Sequence, residues 1–333
     1  MKSSNNKPTI SIVIPTLNNG RDIENLFKNI WLQDYPKNKM DIVISDGGST
    51  DDTIKIAKRY TPKIVKNTQT LAEPGVTLGI NNSKGDLLMI LAADNRLLKN
   101  DSISSIVKVF ENPNVFAAFP KHDSVAKDTL FSKYINTFTD PFNHFIYGNA
   151  SNGRTFKNIY KTIISNDKYD VYDYSSNVIR PILAFAQGFT FRSGYKRDQE
   201  DEFDDVVPIQ KMINENKKIA YVHSVSLTHH TIRDMSHFIR KTKWATQNAV
   251  NKKEYGINHR EKYLSSFQKM KIIFWPIYAL FLPFSIVRSI IMYILSREKM
   301  WLFSPIISFI SALSSVLAIV ELKQNKSLIM KRQ

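Results

Sequence analysis

The chain has 333 residues, 43% of them hydrophobic, which excludes a disordered or low-complexity protein and leaves room for about two domains. It holds no cysteine, so disulfides, zinc–thiolate sites and a thiol nucleophile are excluded, and any metal must be bound by oxygen or imidazole. The formal net charge is +16, and residues 231–333 supply 17 Lys plus Arg against 5 Asp plus Glu, so the excess sits beside apolar segments and points to lipid rather than nucleic acid.

The N-terminal "MKSSNNKP" is polar and carries no secretory pattern, so a cytoplasmic domain is expected from the start of the chain. "TISIVIP" (9–15) reads as a buried strand, and "RDIENLFKNIWLQD" (21–34) as an amphipathic helix with Ile23, Leu26, Phe27 and Ile30 on one face. "DIVIS" (41–45) is a second strand and "DDTIKIAKRY" (51–60) a second helix, with acids in the first turn and bases in the last, as the helix dipole favours. "DLLMILAAD" (86–94) is a strand that stops on an aspartate, and "DSISSIVKVF" (101–110) a helix. Such alternation predicts an α/β fold with a mostly parallel sheet flanked by helices, whose ligand crevice lies beyond the carboxyl ends of the strands.

Residues 120–180 read as a helical and loop insertion over the site. "AFAQGFTFR" (184–192) is a further strand, "DDVVPIQKMINEN" (204–216) a helix, "KIAYVHSVSLTHH" (218–230) a strand and "MSHFIRKTKWATQNAV" (235–250) a helix. Beyond this, "IIFWPIYALFLPFSIV" (272–287) and "WLFSPIISFISALSSVLAIV" (301–320) have no charge. The second is long enough to span a bilayer. The first carries two prolines, and reads equally as a span over about 272–295 or as a re-entrant or interfacial helix. Basic flanks on both sides put the ends of a hairpin on the cytoplasmic face of the cell membrane. The division expected is a catalytic domain over 1–250 and a basic linker with membrane helices over 251–333.

The polar residues past three strands should converge: Thr16 and Asn18, Asp46, and Asp94. Asp46 is either a turn or capping residue, or, beside Gly47 and Gly48, an acceptor for a base N–H or sugar hydroxyl. Asp94 ends a very apolar strand, which is costly unless the acid caps a turn or holds a divalent cation such as Mn2+ or Mg2+. In "RDQEDEFDD" (197–205) most acids read as a solvated loop, whereas Asp204 and Asp205 open a helix and suit a general base towards an acceptor hydroxyl. His229 and His230 are surface or core residues or metal ligands. Arg240 and Lys243 lie three apart on one helical face before Trp244, as a basic stripe or as a clamp on a leaving diphosphate.

Taken in order, "SIVIPTLNN", "VISDGGSTDDT", "GINNSKGDLLMILAADN" and "FDDVVPIQKMI" followed by "RKTKW" resemble family 2 of the inverting nucleotide-sugar glycosyltransferases, of GT-A fold, over roughly residues 8–250. The resemblance implies that Pro15, Thr16, Asn18, Asp46 and Gly47 frame the nucleoside. Asp94 would match the last acid of the metal-binding Asp-x-Asp motif, and Asp205, with Asp204 before it, the base; beside the resemblance, His230 is expected from its own chemistry as a second metal ligand. Arg240, Lys243 and Trp244 would match the element near the diphosphate. The resemblance further implies Mn2+ or Mg2+ as cofactor, a nucleotide-sugar donor, UDP-linked first of all, and a glycan or lipid-linked acceptor. Four positions depart from the family pattern: Ala92 stands at the first acid of Asp-x-Asp, Thr77 at a usual Asn, and Arg240 and Lys243 at the Gln and Arg of the last element. Ala92 also motivates a second reading, a catalytically silent nucleotide-binding relative that works through a protein partner.

Overall fold

The computed structural model describes residues 7–61, 63–195, 197–198, 203–252 and 255–330, with 325–330 described by backbone alone. Acids 200–202 of the run noted above lie outside the described residues. In chain order the strands and helices are β1 (Ile10–Thr16), α1 (Gly20–Trp31), β2 (Met40–Asp46), α2 (Thr53–Ala57), β3 (Ile64–Lys66), α3 (Ala72–Asn81), β4 (Leu87–Ile90), β5 (Asn95–Leu97), α4 (Ser102–Val109), β6 (Val115–His122), α5 (Leu130–Phe138) and α6 (Pro141–Tyr147). There follow β7 (Lys161–Ser165), β8 (Asp170–Asp173), β9 (Thr190–Arg192), α7 (Val207–Asn214), β10 (Lys218–His229), α8 (Met235–Asn251), α9 (Ser266–Leu280), α10 (Leu282–Ser296) and α11 (Ser304–Met330).

The chain forms two compact units. The first comprises residues 1–123, 156–177 and 183–229 and contains one sheet of order β3-β2-β1-β4-β9-β6-β10-β8-β7, with β5 paired to β10. β1 lies between β2 and β4 in parallel register, and Ile10, Ile12, Val13 and Ile14 are fully buried, as expected of a central strand covered on both faces. Helix α1 presents Ile23, Leu26, Phe27 and Ile30 to this core, the i, i+3, i+4, i+7 spacing of one helical face. The sheet is mixed, because the three-residue β9 runs antiparallel between β4 and β6. Of the strand expected over 184–192, only these last three residues join the sheet as a ladder.

The second unit comprises residues 124–155, 178–182 and 230–333. Residues 120–180, expected as one insertion, are therefore divided: α5 and α6 belong to the second unit, and the β7–β8 hairpin extends the sheet of the first. Helix α8 also belongs to the second unit, where Thr246 Oγ1 meets Ser315 Oγ of α11 at 3.0 Å. Trp301 and Ile307 cluster with Tyr134, Phe138, Ile232 and Phe238, while Trp275, Tyr278 and Ala279 of α9 meet Ala312 of α11.

Among the described residues, Lys299–Gln324 is long and apolar enough to cross a bilayer, with a mean hydropathy of 2.1 over its best window. The segment expected over 272–295 is not one straight helix. Helices α9 and α10 bend by 99° at Phe281, between Pro276 inside α9 and Pro283 at the start of α10.

Candidate active site

Parallel pairing of β1 with β2 places Thr16 beside Asp46, and the two strands end in turns that lock together. Gly47 N–H donates to the Thr16 carbonyl at 2.8 Å. Asn18, in the left-handed region at φ 52°, accepts from Thr50 N–H at 2.8 Å through its side chain, and its own N–H donates to Ser49 Oγ at 2.9 Å. Asparagine tolerates that conformation better than most residues. Thr16 Oγ1 meets Asn19 Oδ1 at 2.9 Å, so Asn19 joins the cradle although its sequence setting did not mark it.

Asp46 is 8% exposed and closes its own turn: Oδ2 accepts from Gly48 N and Ser49 N, each at 3.0 Å, and Oδ1 from Ser49 Oγ at 2.5 Å. These take three of the roughly four acceptor positions of a carboxylate, which leaves about one for a ligand. The two glycines have separate causes. A Cβ on Gly47 would lie 2.9 Å from the Thr70 carbonyl oxygen, whereas Gly48 adopts φ +96° in open space. Gly47 thus makes room for the chain's own backbone at Thr70. In the same loop Asp51 is ionised and structural: burial pushes its pKa up, but hydrogen bonds from Thr53 and from Gly20 N–H hold it below the usual carboxylate value.

Asp94 lies in the turn between β4 and β5, where Asn95 Oδ1 accepts from Ala92 N–H at 2.9 Å. Antiparallel pairing sets Asn95 opposite His229 at the end of β10, and His229 Nε2 reaches Asp94 Oδ2 at 3.2 Å. The side chains are 25% exposed for Asp94 and 13% for His229, so solvent or a ligand reaches both. His230 faces elsewhere: its Nδ1 pairs with Asp128, whose side chain is buried. The structure therefore brings His229 to Asp94, and gives His230, singled out from the sequence, to a different acid. Among the described residues no group of three or more His, Asp or Glu side chains is gathered for a metal ion.

Asp204 is 2% exposed and caps α7, its Oδ1 accepting from Val206 N at 2.7 Å and Val207 N at 2.9 Å. The Asp205 carbonyl accepts from Phe185 N at 2.8 Å, and Gly188 N donates to the Ile90 carbonyl at 2.7 Å, so the acid pair is tied to the end of β4 that leads to Asp94. Arg197, which the acidic run around it concealed, has a fully buried side chain. It donates to the Asp204 carbonyl at 2.6 Å and to the Glu73 carbonyl at 3.2 Å, and its Nη1 lies 3.9 Å from Asp205 Oδ1. The hydroxyl of Thr77, on α3, is buried without a hydrogen-bond partner among the described residues.

Arg240, Lys243 and Trp244 lie on α8, in the second unit. Lys243 Nζ pairs with Glu321 Oε1 at 2.5 Å, Trp244 is 47% exposed and meets Tyr255 edge-on, and Arg240 is exposed.

Residues 11–172 match the family described as glycosyl transferase family 2. That stretch is 162 of the 333 residues and runs from β1 to β8. Over 91 residues it is 36% identical to a dolichyl N-acetyl-alpha-D-glucosaminyl phosphate 3-beta-D-2,3-diacetamido-2,3-dideoxy-beta-D-glucuronosyltransferase of Methanococcus voltae, covering 25% of this chain and 28% of that one. It is 26% identical over 95 residues to the poly(ribitol-phosphate) beta-N-acetylglucosaminyltransferase TarS of Staphylococcus aureus, covering 27% of this chain and 17% of that protein. The matched stretches are thus less than a third of these relatives' lengths. In fold, the chain is similar to the mannosyltransferase PcManGT of Pyrobaculum calidifontis, solved with GDP-Man and Mn2+, at a TM-score of 0.53 and 16% identity over 93% of this chain and 87% of that one.

Proposed function

We propose that this protein is a membrane-associated glycosyltransferase of family 2 that moves a sugar from a nucleoside diphosphate donor, a UDP-sugar first, to a hydroxyl of a glycan or lipid-linked acceptor, with inversion at the anomeric carbon. The observation that carries the reading is the Asp94–His229 pair, held at the end of a sheet whose neighbouring strands end in the interlocked turns of Thr16 and Asp46. The names of the matched relatives, which act on a dolichyl-linked sugar and on poly(ribitol-phosphate), support the acceptor class.

A carboxylate oxygen and an imidazole nitrogen suit Mn2+ by ligand type, and Mg2+ less well. Two protein donors leave the remaining positions to water and a diphosphate. Asp94 and His229 would hold the ion, which when bound supplies positive charge against the departing diphosphate. The nucleoside lies against Pro15, Thr16 and Asn18, and the remaining acceptor position of Asp46 takes an N–H of the base or a sugar hydroxyl. Asp205 receives the proton of the acceptor hydroxyl as its oxygen bonds to the anomeric carbon, and the bond to the diphosphate breaks with its electron pair leaving on the diphosphate. Asp204 and Arg197 position that carboxylate, the first through the α7 cap and the second from its buried guanidinium. A part for Arg240, Lys243 and Trp244 in diphosphate binding rests on the sequence alone, as does a metal role for His230.

Membrane attachment is supported by exposed apolar side chains along α9, α10 and α11, among them Ile273 at 74%, Val287 at 58% and Leu295 at 73%. The basic flanks of these helices favour a cytoplasmic catalytic unit.

The test is release of nucleoside diphosphate from a panel of UDP- and GDP-sugars by detergent-purified protein, with Mn2+, with Mg2+ and with EDTA. Turnover of one donor that stops in EDTA is expected. Absence of both binding and turnover with every donor would instead favour the silent relative and a protein partner.

A further inference from the structure

Among the described residues, two cations in α9 and α10 meet no carboxylate. Lys271 Nζ lies 5.7 Å from the Phe145 ring centroid and 5.0 Å from that of Phe267, and it donates to the Ile146 carbonyl at 3.3 Å. The Arg288 guanidinium lies 5.9 Å from the same Phe145 ring, 5.5 Å from Tyr278 and 5.2 Å from Trp301, and Nη1 donates to the Tyr278 hydroxyl at 3.2 Å. Among the described residues neither forms an ion pair, and Asp140, at the start of α6, is engaged as the cap of that helix by Asn143 N at 3.0 Å. His144 does not compensate. It is 6% exposed between Phe138 and Trp301, and burial, followed by the charges of Arg288 and Lys271, holds it neutral with a pKa near about 3.

An ammonium offers three donors and a guanidinium five, and each here spends one on the protein. Cations held against aromatic faces and partly desolvated are stabilised further by an anion, and the described residues bring none. Around them α9 and α10 expose Phe267, Phe274, Phe284 and Ile291. An anion that reaches this place is therefore best carried on an apolar body.

We propose that Lys271 and Arg288, one on each arm of the bent helix pair and both against Phe145, bind the phosphate of a membrane-lipid headgroup. The site rests on the reading of α9–α11 as membrane-facing. It differs from general attraction of a basic surface to an anionic bilayer in being local to two cations and in persisting at salt concentrations that screen exposed charge.

Flotation of the full chain with phosphatidylcholine vesicles, with and without phosphatidic acid, at high salt separates these possibilities. Wild type is expected on both, with a gain from phosphatidic acid. Lys271→Gln with Arg288→Gln should float as well as wild type on pure phosphatidylcholine and lose roughly tenfold of the gain, with the far-ultraviolet circular dichroism unchanged. The charge-matched pair Lys262→Gln with Lys299→Gln, both exposed, should keep it. Equal loss in the two pairs, or retention by the first, overturns the site while leaving membrane attachment standing. Loss of the gain on adding millimolar inorganic phosphate overturns it in favour of a free-phosphate site. Wild type that floats with neither vesicle overturns the membrane reading and this site with it.

Discussion

Asp94 and His229 lie 3.2 Å apart because three residues of β5 pair with the end of β10. If they hold the cation, Asp94→Ala and His229→Ala should each weaken Mn2+ binding in the presence of UDP by about 10- to 100-fold. His230→Ala, which removes a partner of Asp128, should leave that affinity unchanged. Calorimetric titration with Mn2+ decides between them, and an effect of His230 equal to that of His229 would contradict the assignment. Asp94 was legible in the sequence because an acid ending a fully apolar strand demands a partner. His229 reads like His230 in the sequence, and what separates the neighbours is pairing: His229 is the last residue of β10 and stands opposite Asn95, next to Asp94. Arg197 was not legible at all, since a base at the head of a run of acids reads as solvated, and only the fold buries it.

At the scale of elements, the interlocked turns after β1 and β2 are held by backbone as much as by side chains. Gly47→Ala places a Cβ 2.9 Å from the Thr70 carbonyl oxygen and should cost about 1–3 kcal/mol in chemical denaturation. A stability equal to wild type would show that Thr70 yields freely. Helix α6 carries the clearest acid-sensitive group. His144 has a folded pKa of about 3 against about 6.5 when unfolded, so its contribution is complete above 6.5 and falls as pH drops from there towards 3. The slope reaches at most about 1.4 kcal/mol per pH unit. His144→Phe should flatten the decline in thermal midpoint between pH 6.5 and 5, and an unchanged decline would place the sensitivity elsewhere. The central β1, β2, β4 and α1 were legible because burial on both faces or on one stripe leaves a clear period. β5 was not, being three residues defined by pairing rather than by pattern, and for β9 the sequence marked a strand over 184–192 but not that only its last three residues pair.

For the molecule as a whole, the sequence conveyed the succession of an α/β unit and an apolar, basic end. It did not convey that residues 124–155 join the C-terminal helices. That association depends on aromatic contacts distant in sequence, such as Phe138 with Trp301 and Phe145 with Tyr278, which no local periodicity encodes. Nor did charge-free length distinguish the bent α9–α10 pair from a straight span, although its two prolines marked where it would bend.

The central claim is sugar transfer driven by a positioned carboxylate, and the most direct measurement is nucleoside diphosphate release by wild type and Asp205→Asn, with UDP affinity determined on both. The account predicts measurable wild-type turnover, a fall of about 10²- to 10⁴-fold in Asp205→Asn, and an unchanged dissociation constant for UDP. Turnover by Asp205→Asn at the wild-type rate would contradict it.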